Sequence, residues 1–594
     1  MVSFKPSSQG FPRPSRSLSS DRWAKKRNQM KAHGLSRRQF IRLLGIGTSA
    51  GILIACEPRG RGEVKPFTPT AHVATEQKAE IIAVSEDGDW YVSPAGSPRG
   101  EGSPKKPWDI VTAFREGGYP SNSIKPGDVV MLGDGTYGSG YDTVFEINVS
   151  GAARNPIVFR PHPNAHVRID GGIRVSGSNV RLSNAQGAEF EILNSNWVHA
   201  DGVTVSRWFD DSESIPQKSA IKAMQGSEGL EVINLVIHDS KQGIADQQEA
   251  EPPSLHYGCL IQNCGTQRSD RGHGHGAYMQ NQGPSVKRLR DMIFVHCFST
   301  GVQWFGQDDG PVRSARTERC ILIDRFLTFG SGEVKDAIVE DCVVWGGMNR
   351  FDFYSGFWWP THHDITVRNN RVFHMRPDMF AIRHGPFQNA TFTGNRIVTE
   401  GELVAALKPP HKGPLYPYLV DDNEYWSAST ARFSVWDPGE VSRNQYEDYD
   451  FAGWKEETGY DSASSVRRGR PKGVEVDVYP NEYETGRANI VIHNWDEEPS
   501  VSVDLSGVAL KSGEKYEIRN ALNYFGDTPI EGIFNEANSK VAIDMRAERW
   551  SFARPIAGDD GERASWPLDD WGRAARLNFP SFGAFIIRKA IGVA

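Results

Sequence analysis

Residues 270–276 read Asp-Arg-Gly-His-Gly-His-Gly, the densest group of side chains in the chain that could move protons. Imidazole titrates near neutral pH, so His273 and His275 suit general acid–base work. Arg271 adds a fixed cation, and the interleaved glycines let backbone bend and a substrate approach closely. Two His at i and i+2 could instead hold a metal. A structural turn with one hydrogen-bonded His is the plainer alternative.

This segment runs into a short strand, and similar strands recur along the chain: GIADQQ at 243–248, GAYMQN at 276–281, GVQWFG at 301–306, FDFYSG at 351–356, FAIRHG at 380–385 and LVAALK at 403–408. Stacked as rungs about 4.8 Å apart, they bring distant residues to one face. Asp246, Tyr278, Trp304, Tyr354, Arg383, His384 and Lys408 are the expected outward set. An aromatic, cationic groove fits an acidic polysaccharide, because rings stack on sugars and Arg pairs with carboxylates or sulfates. An ordinary solvated face is the alternative. A slip of one residue would exchange inside for outside.

The elements that must hold such a face repeat every 21 to 32 residues or so. β-branched runs follow Asn234, Cys259, Asp291, Cys320, Cys342, Asn370, Asn395, Asn423 and Asn444, which are expected to share one column. Asn suits stacked turns because its side chain bonds a neighbouring rung and tolerates left-handed backbone. Cys259, Cys320 and Cys342 read as inward structural thiols in that column. No Cys-x-x-Cys pair suggests zinc. Near residue 470 the pattern changes to half-buried strands such as ANIVIHN and FGAFIIRK. The expectation is an all-β chain: a right-handed parallel β-helix over 89–470, then an antiparallel β-sandwich over 471–594 that packs against the solenoid end.

The opening DWYVSPAGSPRGEGSPKKPWDIVTAF, IKPGDVVMLGDGTY and NPIVFRPHPNAHVRIDGG resembles the entry of right-handed β-helix polysaccharidases, with a short helix capping the solenoid. The stretch YGCLIQNCGTQRSDRGHGHGAYMQNQ resembles exported β-helix repeat proteins of the pectin-lyase-like superfamily, and the resemblance spans roughly residues 89 to 590. That superfamily holds lyases, hydrolases, esterases and epimerases, so the likeness fixes fold better than reaction. It implies first a polysaccharide lyase cleaving a uronic-acid-containing polymer by β-elimination. Arg383 or Arg271 would neutralise the carboxylate. His275, His384 or Lys408 would take the C5 proton, and Tyr278 or Tyr354 would protonate the leaving oxygen. Trp304, Tyr354, Arg271 and Lys408 are the expected substrate contacts; His273 and His275 belong to the proton-transfer set with Tyr278, Arg383 and His384. Calcium serves many such lyases, and Asp246, Glu249 and Glu251 are the weak candidates here. A β-helix glycoside hydrolase is the second reading. Asp308 and Asp309 in GQDDGP resemble polygalacturonase carboxylates, but the His motif precedes them, the reverse of that family's order. A non-catalytic polysaccharide-binding surface protein is the third.

The first segment concerns location. Ser36-Arg37-Arg38-Gln39-Phe40-Ile41-Arg42 resembles the twin-arginine export motif, and Leu53-Ile54-Ala55-Cys56 resembles a lipobox, whose Cys would receive a lipid. Residues 1–56 thus read as a signal handled by the twin-arginine translocase, with Met1 or Met30 as the start, and 57–88 as a flexible tether. A periplasmic or cell-surface protein anchored to the membrane through Cys56 is expected. The net charge of -7 over 594 residues lacks the basic character of a nucleic-acid binder.

Overall fold

Triplets such as VIH, LIQ, IFV and ILI are too short to bury an apolar face alone, and they stack in parallel to do so. In a computed structural model, the described residues are 87–594 apart from 141–142, 196–218, 248–250, 268–271, 307–309, 325–326, 331–332, 347–352, 356–361, 376–381, 385–386, 408–417, 437–445, 556–577 and 591–594. Among them, three sheets of twelve strands each form a right-handed parallel β-helix. Apart from the first two strands of sheet 1, which follow one another in the chain, and the antiparallel pair Arg432–Trp436 and Tyr446–Tyr449 at the end of sheet 2, each turn of the chain contributes one strand to each sheet. Sheet 1 begins at Trp90–Val92, sheet 2 at Val144–Ile147 and sheet 3 at Gly135–Gly138. One helical turn, Thr112–Glu116, lies at the entry, where Phe114 packs edge-on to Phe145 and Phe159. At the far end the helix Phe451–Thr458 places Trp454 over Phe433, centroids 5.5 Å apart.

The asparagine column is real but shifted by one residue at two rungs. Pairing aligns Val236, Leu260, Ile293, Ile321, Val343, Arg371, Arg396 and Glu424. The residues just before them are Leu235, Cys259, Met292, Cys320, Cys342, Asn370, Asn395 and Asn423, so Asn234 and Asp291 fall one position early. Those two take left-handed backbone instead, φ +61° and +55°, as do Asp341 and Asn369. The true column faces inward. Asn370 backbone N–H donates to Asn395 Oδ1, and Asn395 N–H to Asn423 Oδ1, each at 3.0 Å. The side-chain amides of Asn370, Asn395 and Asn423 thereby each satisfy a buried backbone N–H of the preceding rung. Cys259, Cys320 and Cys342 are buried free thiols in the ladder, and Asn444 lies outside the described residues.

The last solenoid strand is Ser465–Arg468 and the first of a five-stranded antiparallel sheet is Val474–Pro480. This C-terminal sandwich packs along the flank of the solenoid, not against its end as the sequence suggested. The reason lies in sheet 3, whose outward positions Val295, Ile323, Trp345, Phe373 and Val398 are as apolar as its inward ones. Val491, Leu522, Phe582, Ala584 and Ile586 of the sandwich bury them. A strand covered on both faces reads as a continuous apolar run.

Toward the entry the same junction turns polar. His238 lies between two carboxylates, Nδ1 to Asp239 Oδ2 at 2.6 Å and Nε2 to Glu191 Oε1 at 2.8 Å. Glu191 also receives His166 Nε2 at 2.6 Å, and Phe525 of the sandwich stacks on His166 with centroids 5.7 Å apart. Burial alone would lower the His238 pKa, but the two carboxylates raise it to about 9, and their His partners hold Glu191 down at about 2 despite burial.

Candidate functional site on the outer face of sheet 2

With the sandwich over sheet 3, sheet 2 carries the candidate face. Strand pairing puts Glu146, Arg174, Lys222, Ala245, Tyr278, Gln303, Thr328, Tyr354, Arg383 and Ala406 in one column, in which Glu146, Arg174, Lys222, Tyr278 and Gln303 are partly exposed and Ala245 and Thr328 are buried. Tyr278, Tyr354 and Arg383 thus share one column, as expected. They do not converge on one point, because four rung steps of about 4.8 Å put Arg383 roughly 19 Å along the face from Tyr278. The strand Leu327–Gly330, overlooked in the sequence, supplies the extra step.

His275 and Tyr278 do come together. Their rings stack with centroids 5.5 Å apart, and His275 Nδ1 meets Thr300 Oγ1 on the next rung at 2.7 Å. Residues three apart in a strand should face oppositely; a local irregularity at Gly276 restores them to one side. A Cβ at Gly276 would lie 2.6 Å from both Gly301 O and Phe294 Cδ1, so position 276 points at the core, as does Ala277. The pairing register does not shift here, with His275 opposite Thr300 and Ala277 opposite Val302, and a Cβ at Gly243, one rung earlier, would likewise meet the core at Ile261. Only glycine fits there, which explains the glycine that leads this strand. Tyr278 is half-buried, and that burial raises its pKa, so its hydroxyl holds its proton. Phe305 lies beside it, centroids 5.7 Å apart.

Two cations precede Tyr278 in the column. Lys222 is two rung steps away, and Arg174, paired with Glu146 at 3.2 Å, is three. Burial and then the Arg174 charge lower the Lys222 pKa. Lys222 lies on the strand SAIKA, which is not among the recurring strands read from the sequence.

Several expected site residues are placed elsewhere. Trp304 is not a substrate contact: it is buried in the core, donates from Nε1 to Thr317 Oγ1 at 3.0 Å and stacks on Phe329. It belongs to the column Asp246, Met279, Trp304, Phe329, Ser355 and His384, one residue off that of Tyr278. His384 is in that column by register, and no more is described of its side chain or those of His273, Tyr354 and Arg383. Asp246 is likewise buried rather than outward. Lys287 Nζ and His256 Nε2 reach its carboxylate at 2.8 and 2.9 Å, and Ser254 donates to it as well. That carboxylate is engaged inside the solenoid, away from a surface calcium site; Glu251 accepts a hydrogen bond from Ser285. Among the described residues no three His, Cys, Asp or Glu side chains are grouped to hold a metal. Arg271, Lys408, Asp308, Asp309, Glu249 and Cys56 lie outside the described residues.

No protein-family model matches the chain, and no curated protein sequence matches it. Several solved structures follow a similar chain path. Pectate lyase Pel9A is 12% identical, with 61% of this chain and 82% of that one covered at a TM-score of 0.35. A GH136 lacto-N-biosidase from Eubacterium ramulus is 13% identical, with 64% and 68% covered at 0.30. A PL6 family polysaccharide lyase from Pseudopedobacter saltans is 8% identical, with 59% and 89% covered at 0.31.

Proposed function

We propose that the protein acts on carbohydrate, as a polysaccharide lyase that cleaves an acidic, uronic-acid-containing polymer along the outer face of sheet 2. The observation that carries this reading is the stacked His275–Tyr278 pair with Lys222 and Arg174 in line on the same face. β-Elimination needs the sugar carboxylate neutralised, the C5 proton removed and the leaving oxygen protonated. His275, oriented by Thr300, takes the proton. Tyr278, kept protonated by burial, gives one to the leaving oxygen. Lys222 and Arg174 hold carboxylates of neighbouring sugars, because rungs and sugar rings advance by similar distances. A panel of acidic and neutral polysaccharides, read at 235 nm and by reducing ends, tests this. New 235 nm absorbance on an acidic polymer is expected. Reducing ends without it would make the protein a hydrolase, and binding without either a non-catalytic module.

We also infer that the chain is exported by the twin-arginine route and lipidated on Cys56, from the Arg37-Arg38 pair and the Leu53–Cys56 segment. Replacing both arginines with Lys should leave it in the cytoplasm; unchanged export would overturn the inference.

A further inference from the structure

Residues 465–473, which lead from the last solenoid strand into the sandwich, carry Arg467, Arg468, Arg470 and Lys472 and no acidic residue, in a chain of net charge -7. All four side chains are exposed. Arg467 meets Glu424 at 3.1 Å and Arg470 meets Glu400. Glu424 is already shared with Arg396, which also meets Glu475, while Arg371 meets Asp477. Six cations therefore gather at this corner, four carboxylates among their partners, and the exposed Asp496, Glu497 and Glu498 follow Trp495, whose backbone N–H donates to Gly473 O at 3.0 Å. Arg468 and Lys472 have no ion-pair partner among the described residues. The arginines are felt nearby: burial first, then Arg371 and Arg396, bring the His493 pKa down to about 3.

Aromatic surface lies beside the cations. The outward column of sheet 3 runs Trp345, Phe373, Val398, Trp426 and Arg467. The sandwich buries it as far as Val398, and Trp426 beyond is only half-buried. The Arg467 guanidinium sits 5.2 Å from the Trp426 ring centroid, and that of Arg470 5.4 Å from Phe373. Trp495 of the sandwich, also half-buried, lies 5.6 Å from both Trp345 and Phe373.

We propose that this corner is a second polysaccharide-binding surface, with Trp426 as stacking platform and Arg467, Arg468 and Lys472 as anion contacts for an acidic chain. A sugar ring offers an apolar face to an indole, and its carboxylate or sulfate pairs with Arg or Lys at the rim. Trp426 is recessed between charged neighbours, which suits a strand lying in a groove better than a ring inserting into lipid. The corner belongs to sheet 3 and its linker, apart from the sheet 2 face. A strand held here would raise the local concentration of polymer at that face. The inference takes only its ligand class from the lyase reading.

Affinity electrophoresis of the purified protein in gels holding polygalacturonate, alginate or neutral dextran tests the proposal. The protein should be retarded by at least one acidic polymer and not by dextran. Arg468→Ser with Lys472→Ser should raise the apparent Kd at least fivefold and flatten its salt dependence, with an unchanged melting temperature. Trp426→Ala should weaken retention to a similar extent; the double surface variant guards against Trp426→Ala acting by misfolding. Retardation of the double variant equal to that of the parent overturns the proposal. So does absence of retardation in both acidic gels, or cosedimentation with phosphatidylglycerol vesicles that matches the polymer binding and is lost in the same variants. Retention that follows these residues without cleavage of any polymer would leave this surface standing and remove the lyase reading. Cleavage with retention indifferent to them would do the reverse.

Discussion

Lys287 donates from Nζ to Asp246 Oδ1 at 2.8 Å inside the solenoid, where neither side chain meets solvent. Burial would push the Asp246 carboxyl up, but the Lys287 charge and the His256 hydrogen bond outweigh it and hold the group ionised well below the usual carboxylate range. Lys287 also donates to Gln280 O at 2.7 Å, which ties the end of one sheet 2 strand to the start of a sheet 1 strand.

Breaking such a pair strands a charge in a dry interior. Lys287→Met alone should cost about 3–5 kcal/mol, because Asp246 then loses the Lys287 charge while staying buried. Lys287→Met with Asp246→Leu should recover much of that loss, since an apolar pair of similar volume avoids the desolvation of both ions. Denaturant unfolding of the parent, single and double variants checks this. A single variant as stable as the parent would show that the pair does not hold this corner.

How far the sequence could reveal these features depends on their periodicity. The rungs were legible because short β-branched runs recur beside turn residues, and the Asn370–Asn395–Asn423 ladder could be read directly. Facing was not legible, because strand side chains alternate and a one-residue slip reverses them. Trp304 was misplaced for that reason, and so was Asp246: both sit one position beyond the column of Tyr278. At Gly276 and Ala277 two consecutive positions face the core and interrupt the alternation, so no strict period of two could have put His275 and Tyr278 on one side. Lys222 and the strand Leu327–Gly330 lie on rungs that were not among the recurring strands read from the sequence. The flank docking of the sandwich left a trace in the continuously apolar strands of sheet 3, which are covered on both faces.

The junction at His238 should make stability depend on alkaline pH. Its pKa is raised in the folded protein from an ordinary value near 6.5 to about 9. A raised pKa means the folded state binds the proton more tightly. The stabilisation is therefore complete below about pH 6.5 and is lost as pH rises through about 9. His166, whose pKa the Glu191 hydrogen bond also raises against its burial, contributes in the same direction. The charged groups in play are Glu191, Glu189, Asp239 and Arg168. For His238 the change is on the order of 3 kcal/mol. Melting temperatures at constant ionic strength should fall from pH 7 to pH 10 more steeply in the parent than in His238→Gln, which should be less stable at pH 7. Parallel curves would remove His238 as the cause.

At the candidate site, the three residues should separate by the step they serve. His275→Ala and Tyr278→Phe should each lower kcat by 100-fold or more, in the range expected when a proton-transfer group is lost. Neither should unfold the protein: the His275 hydrogen bond to Thr300 is worth about 1 kcal/mol, and Tyr278→Phe keeps its ring stacked. Lys222→Met should raise KM with little change in kcat, because Lys222 holds substrate charge and does not touch the reacting atoms. Its lowered pKa adds a second signature. As pH rises through that value the ammonium loses its proton and its hold on a carboxylate, so KM should climb at a lower pH than an ordinary lysine would give. In Lys222→Arg the guanidinium stays charged, and KM should remain flat over the same range. If Lys222→Met instead lost kcat as His275→Ala does, Lys222 would be the base, and His275 would serve to orient Tyr278.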